Sequence, residues 1–354
     1  MISGYDASSH RYWRELLEQQ LPEYHWTQIA LPDRYFYWRA RGNALSLAFT
    51  KQTELNQTYD LIIVTSMVDL SALRGFCPHL AAVPTIVYFH ENQFAYPVEE
   101  SSNLVNIQLL SIYSALCADQ ILFNSAYNKT TYIDGVQSLL TRLPDEIPKD
   151  IDKQLLSKSS VIPVPLASDM SIVKRSENLS ETVQIVWNHR WEFDKQPEVF
   201  FSALTQLKNA GYAFKLHILG QSFRKQPDMF LQASEKFADE ILTYGHQTRS
   251  SYLAILAEAD IVVSSSLHEF QGISMLEAIA SGCTPIAPDR LVYPEYIPKQ
   301  LLYSITNDVQ TESASLCTKL QDVIDNRVRH IPNVSRFQST EVISGYQAVI
   351  KGLL

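Results

Sequence analysis

The sequence predicts an α/β chain of two domains, each an open parallel sheet, facing one another across a cleft. Three observations predict it. At 354 residues the chain exceeds what one hydrophobic core usually holds. Apolar runs of strand length recur through both halves and alternate with helix-period segments. The runs are apolar throughout rather than at every second residue, as in parallel strands buried on both faces. In such sheets ligands bind beyond the carboxyl ends of the strands.

In the N-terminal half, DLIIVTS (60–66), TIVYFHE (85–91) and QILFNS (120–125) read as strands ending in polar residues. RYWRELLEQQL (11–21) and LVNIQLLSIYSALCA (104–118) read as helices between them. The stretch 142–170, RLPDEIPKDIDKQLLSKSSVIPVPLASDM, is rich in Pro, Asp, Lys and Ser and contains the best linker candidate, with a boundary near 166–180. Beyond it VQIVWNHR (183–190), FKLHILG (214–220), DEILTYG (239–245), ADIVVSSS (259–266) and TPIAP (284–288) read as strands. EVFFSALTQLKNAG (198–211), RSSYLAILAEA (249–259) and ISMLEAIASG (273–282) read as helices, the first and last stopped by glycine. Domains are therefore expected at 1–170 and 171–338, with a final helix over 339–354 able to pack back on the first domain.

Composition narrows the classes. Lys and Arg number 29 against 38 Asp and Glu, and neither half carries a basic excess, so any nucleic-acid contact has to be local. Cys77, Cys117, Cys283 and Cys317 show no CxxC spacing, which argues against a zinc site or a disulfide framework and for reduced cytosol. No segment reaches 18 uninterrupted apolar residues, and the N-terminus lacks a basic-then-apolar signal pattern, so a soluble cytoplasmic protein without a membrane partner is expected.

HEFQGISMLEAIASG (268–282) carries the first chemistry. Glu269 and Gly272 sit where a strand hands over to a helix, whose first-turn N–H groups and dipole make an anion site suited to a diphosphate. Gly272 lets a ligand approach the backbone. Glu277, inside the helix, can accept two hydrogen bonds from a ribose diol; a solvated helix with incidental acids is the plain alternative. In WNHRWEFDKQPE (187–198), Arg190 and Lys195 follow a buried strand and are able to neutralise a departing diphosphate. Taken alone, that pair reads first as an ordinary basic loop.

Together, a strand followed by R-x4-K, then E-F-x-G with a second Glu eight positions on, then A-x-x-G-x-x-P, resembles the C-terminal domain of retaining GT-B glycosyltransferases of family 4. The resemblance implies that Arg190 and Lys195 bind the nucleotide-sugar diphosphate, Glu269 contacts the donor sugar and Glu277 the ribose, with Gln271, Gly272 and Ile273 completing the donor site. Many members have E-x-F-G, whereas here the order is Glu269-Phe270-Gln271-Gly272. The segments 7–17, 31–45, 64–98 and 121–128 resemble the N-terminal domain of the tRNA-queuosine mannosyltransferase family, FHENQFAYP and YWRAR being the most specific pieces. That implies two Rossmann-like domains. It also implies retaining transfer of mannose from GDP-mannose to the cyclopentenediol of queuosine in a tRNA anticodon of the tRNA-Asp type. Only Met1 and Ile2 precede SGYDASSH, so either the first strand is very short or the start is late.

On the acceptor side, His90 ends a strand beside Glu91, Asn92 and Gln93, a polar cluster expected to contact sugar or acceptor. Ser9 and His10 open the first helix, where either acceptor contact or an N-cap by Ser9 fits. Asn124-Ser125 ends another strand and is a weaker candidate for lining the cleft. Arg39 and Arg41, with Arg34, Tyr35, Tyr37 and Trp38, form the one basic-aromatic cluster of the acidic N-terminal half. It suits unstacked anticodon-loop bases, or else its aromatics are core and its arginines solvated. No metal or cofactor is called for, since no DxD-type pair offers ligands and cations suffice for the leaving group. Competing readings are a family-4-like enzyme with a lipid-linked or small-molecule acceptor, and a non-catalytic nucleotide-sugar or tRNA-binding protein.

Overall fold

The computed structural model describes residues 1–96, 102–167, 169–170, 172–173, 175–220 and 228–354; Pro97 and Val98 of the FHENQ segment lie outside them. The chain divides into two units, Met1–Pro165 with Ser339–Leu354, and Leu166–Gln338. The division falls five residues before the 170/171 boundary read from composition. The Pro-rich stretch ahead of it is not all linker, because it contains a helix, Ile151–Ser157, and a strand.

In the first unit, strands β1 (Ile2–Ser3), β2 (Ile29–Ala30), β3 (Ile62–Thr65), β4 (Thr85–Phe89), β5 (Gln120–Phe123) and β6 (Ser159–Val161) form a sheet in the order β2-β1-β3-β4-β5-β6, every ladder parallel. β1 is very short: two of its residues pair with β2 and one, Ile2, with β3. β3 and β4 are buried at every position, which is why their sequences show no alternation. The helix Ser339–Leu353 belongs to this unit and buries Val342, Ile343, Tyr346 and Ile350 along one stripe. Trp13 Nε1 donates to the Tyr346 hydroxyl at 2.9 Å, and Tyr346 donates to Pro163 O at 3.1 Å.

In the second unit, β7 (Val183–Asn188), β8 (Phe214–Leu219), β9 (Ile241–Gly245), β10 (Ile261–Val263), β11 (Thr284–Pro288) and β12 (Leu302–Tyr303) run in the order β12-β11-β10-β7-β8-β9, again parallel. The chain winds outward from β7 through β8 to β9, then restarts on the other side of β7 with β10. The carboxyl ends of β7 and β10 are thus adjacent at the switch point, where open sheets bind ligands. Two helices of this unit stop where glycine takes over, at Gly211 (φ 86°) and Gly282 (φ 93°).

One buried ion pair ties this unit together. The Asp260 carboxylate accepts from Ser180 N, Ser180 Oγ and Gln184 N, and lies 2.6 Å from Arg329 Nη2. Both side chains are buried. Asp260→Ala is expected to strand the Arg329 charge and destabilise by about 3–5 kcal/mol, measured by urea denaturation. A loss well under 1 kcal/mol would mean that water reaches the pair.

Candidate active site

The site in the second unit is built from the exits of β7 and β10. After β7 the chain passes His189 and Arg190, then makes a 3-10 turn over Phe193–Lys195 before the helix Pro197–Asn209. This turn carries Lys195 inward rather than leaving it in an open basic loop. Lys195 is buried, and its Nζ donates to His268 O at 2.7 Å and lies 3.4 Å from Glu269 Oε2 and 3.3 Å from Asp194 Oδ2. The backbone is pinned as well: Leu267 N donates to Asp194 O, and Ser265 Oγ to Lys195 O, each at 2.7 Å. Arg190 is half exposed, with Nη1 3.1 Å from Glu192.

Glu269 Oε1 accepts the Gly272 N–H at 3.1 Å, just ahead of the helix Ile273–Ala280. Gly272 has φ 74°, and a Cβ there would sit 2.6 Å from the Tyr296 hydroxyl, so backbone and space both require glycine. Phe270 and Gln271 are buried. Burial works to raise the Glu269 pKa, but Lys195, the imidazoles of His189 and His268, and the Gly272 N–H outweigh it and hold the carboxyl at about 2. It is a carboxylate at any physiological pH. Burial, reinforced by the Lys195 charge, lowers His189 and His268 to about 4, so both stand neutral beside it.

Glu277 is not solvated. It lies on the buried side of its helix, with Oε1 2.6 Å from Arg249 Nη1 and Oε2 accepting from the Tyr252 hydroxyl at 2.9 Å. Arg249 reaches Asp169 with two further N–H groups at 2.9 and 3.1 Å. Tyr252 also accepts from Asn188 Nδ2, which donates in addition to Ser274 O. Burial raises the Glu277 pKa above its ordinary value, although Arg249 and Tyr252 each oppose it. Beside these residues lies a pocket of about 380 Å³ lined by Asn188, Leu219, His246, Gln247, Arg249 and Tyr252.

In the first unit, His10 and His90 are brought together. Their rings stack at 4.2 Å between centroids, and His90 also meets the edges of Trp13 and Tyr88. His10 Nδ1 is 2.8 Å from Tyr5 O, while His90 Nε2 is buried with no hydrogen-bond partner. Burial lowers His10 to about 4 and His90 well below its ordinary value, so the pair is uncharged. Asn124 holds the His90 carbonyl through Nδ2 at 2.7 Å.

Three readings of this unit are corrected. Asn92 does not offer its amide to a ligand: Nδ2 donates to Asn128 and Thr131, and Oδ1 accepts from Phe94 N and Ala95 N, so it anchors the loop. Ser9 caps no helix, since the first helix is Ser8–Gln20, its N-cap is Ala7 and no side chain caps it; Ser9 is exposed in the first turn. Tyr35, Tyr37 and Trp38 are exposed rather than core. Arg41 is exposed, and Arg39 is partly buried with Nη1 3.4 Å from Ser46 Oγ. Glu91 and Gln93 line a narrow crevice with Ser66 and Met67.

Comparison with known proteins fixes the relationship. A family model described as tRNA-queuosine alpha-mannosyltransferase N-terminal matches residues 1–166, and one described as Glycosyl transferases group 1 matches residues 171–314. The tRNA-queuosine alpha-mannosyltransferase of Drosophila melanogaster is 35% identical over 329 residues, covering 90% of this chain and 87% of that protein. The chain belongs to the tRNA-queuosine alpha-mannosyltransferase family. It is a glycosyltransferase of GT-B fold. Anabaena Alr3699/HepE, solved in complex with UDP and glucose, shares the fold with a TM-score of 0.62 at 12% identity, covering 99% of each chain. Sucrose-phosphate synthase from Thermosynechococcus elongatus does so at 0.64 and 13%, covering 98% of this chain and 94% of its own.

In this tRNA-queuosine alpha-mannosyltransferase family member, sequence reasoning missed Asp194, Arg249 and Tyr252. Asp194 carried a signal, being the acid next to the motif lysine. Arg249 and Tyr252 carried none, because only the packing of their helix beside Ile273–Ala280 brings them to Glu277.

Asp194→Asn removes one of the two carboxylates that orient Lys195, and is expected to lower kcat by about tenfold, about 1.4 kcal/mol, with a smaller change in donor KM. A change confined to KM would count against an orienting role. The neutral histidines give a pH dependence with a definite sign. As pH falls from 6.5 towards 4, the unfolded chain protonates His189 and His268 while the folded one does not, so stability present above 6.5 is lost across that window. The urea midpoint should fall over that range, and more shallowly in His268→Asn; a flat profile would show that the folded imidazoles protonate freely.

Proposed function

We propose that this protein transfers mannose from GDP-mannose to the cyclopentenediol of queuosine in the anticodon of a tRNA-Asp-type tRNA, with retention at the anomeric carbon. The observation that carries the donor side is Lys195, buried and already oriented beside Glu269 at the glycine-started helix. In this scheme the diphosphate meets Lys195, Arg190 and the first-turn N–H groups around Gly272 and Ile273. Glu269 and Gln271 face the sugar. Glu277 accepts the ribose hydroxyls, and the pocket beside Arg249 and Tyr252 has room for a base.

The anomeric C–O bond to the diphosphate breaks, and its electron pair goes to the leaving oxygen. The queuosine hydroxyl oxygen forms the new bond on the same face and passes its proton to that leaving oxygen. Lys195, Arg190 and the helix end stabilise the charge, so the scheme requires no metal. His10 and His90, uncharged, serve as hydrogen-bonding partners for hydroxyls, with Glu91 and Gln93 beside them. The family relationship supports queuosine-tRNA as acceptor. No helix among the described residues is long and apolar enough to cross a membrane. Four free cysteines suit a reducing cytoplasm.

Incubation with GDP-mannose and queuosine-containing tRNA should add one hexose mass to the nucleoside. The absence of a shift with any tRNA would overturn this reading, and a shift only with another nucleotide sugar would reassign the donor. Glu277→Gln should raise the donor KM by roughly tenfold or more, because bonds to a charged acceptor are each worth about 1.5–3 kcal/mol. Unchanged KM would remove Glu277 from the ribose.

A further inference from the structure

We infer that the outward face of the first turns of the helix Phe36–Thr50 is a docking platform for unpaired bases of an RNA. Large aromatics are usually buried, yet here Tyr35 is 73%, Tyr37 74% and Trp38 50% exposed. Trp38 is also held flat. A Cβ on Gly42, one turn along, would sit 2.5, 2.6 and 2.7 Å from three successive atoms of the six-membered ring, and that near equality puts it over the ring face rather than its edge. One face of the indole therefore lies on the helix backbone at Gly42, in space that any side chain there would fill. The ring is backed by the helix on one face without being buried, which is what a base-stacking platform needs: a flat apolar surface presented to solvent.

The charge around it has the matching sign. Residues 31–50 hold three arginines and a single acid, Asp33, in a chain of net charge −9. The Arg34 guanidinium lies 5.8 Å from the Tyr35 ring centroid, and Arg41 is exposed. Arg39 has a buried Nε without a hydrogen-bond partner. Tyr35 itself adopts left-handed backbone (φ 57°), uncommon for a bulky residue and concentrated at functional positions. Arginine beside exposed aromatics is the pattern that stacks splayed bases and neutralises their phosphates. Leu45, Phe49 and Phe76 extend the exposed apolar surface and would suit a protein. The arginine excess at the Trp38 end favours RNA.

This inference rests on the reading of an RNA acceptor, and binding separates the two. The probes are an unmodified anticodon stem–loop RNA and a blunt RNA duplex of equal length, titrated against the full chain by fluorescence anisotropy. Trp38→Ala should weaken loop binding by roughly fivefold to a hundredfold, the range for one lost stack, with an unchanged melting midpoint. Trp38→Phe should restore most of it, and Tyr37→Ala, at a more exposed position, should weaken binding independently. Arg34→Gln with Arg41→Gln should flatten the salt dependence of log K by about 0.7 per charge. Wild-type affinity in Trp38→Ala, or equal wild-type binding to loop and duplex, overturns the platform. So does a Trp38→Ala phenotype confined to self-association in sedimentation, which would make the face a protein interface. If loop binding depends on Trp38 but no hexose reaches queuosine-tRNA, the platform stands and the proposed reaction fails. If transfer proceeds and Trp38→Ala leaves RNA affinity untouched, the reverse holds.

Discussion

A buried ammonium joins the two halves of the proposed donor site. Lys195 comes from the exit of β7 and Glu269 from the exit of β10, 74 residues apart in sequence and 3.4 Å apart in space. A buried cation without partners is prohibitively unstable, so the Lys195 side chain is acceptable only because Asp194, Glu269 and the His268 carbonyl surround it. The same bonds fix where the positive charge points. A diphosphate arriving there meets a cation that needs no further ordering, the condition under which electrostatic stabilisation of a leaving group is strongest. Gly272 completes the arrangement, since its N–H turns the other Glu269 oxygen towards the helix start.

Polar groups packed without charge recur around both sites. His10, His90, His189 and His268 are all held neutral by burial. A neutral imidazole can donate at one nitrogen and accept at the other, so it can orient hydroxyls without adding a cation near a departing anion. In the first unit a ladder of asparagines supports this. Asn128 Nδ2 reaches Phe89 O and Asn124 Oδ1, and Asn124 in turn holds the His90 carbonyl. The loop after β4 is thereby fixed by amides whose groups are satisfied inside the protein.

What was legible in the sequence follows from length and period. Mostly apolar strands of four or more residues, such as β3, β4 and β7, announce themselves, whereas β1, β2 and β12 have two residues each and show no pattern. The strand-exit motifs revealed Lys195, Glu269 and Glu277 because their spacing is local to two segments. Arg249 and Tyr252 were invisible, since their approach to Glu277 arises only when two helices pack. Asn92 misled for the opposite reason: a polar residue in a polar run looks like a ligand contact, and only its bonding partners show that it is structural. At Trp38 the sequence left core and surface equally open, and the decision came from its exposure in the folded chain.

The guanidinium of Arg249 spans two carboxylates at once, Asp169 on its exposed side and Glu277 on its buried side. Lysine is no substitute in that position, because a single ammonium lacks the planar fork that reaches both. The three residues therefore constitute one heritable trait spread over more than a hundred positions. Replacing Arg249 would leave both carboxylates without their cation, so the arginine is the member on which the other two depend.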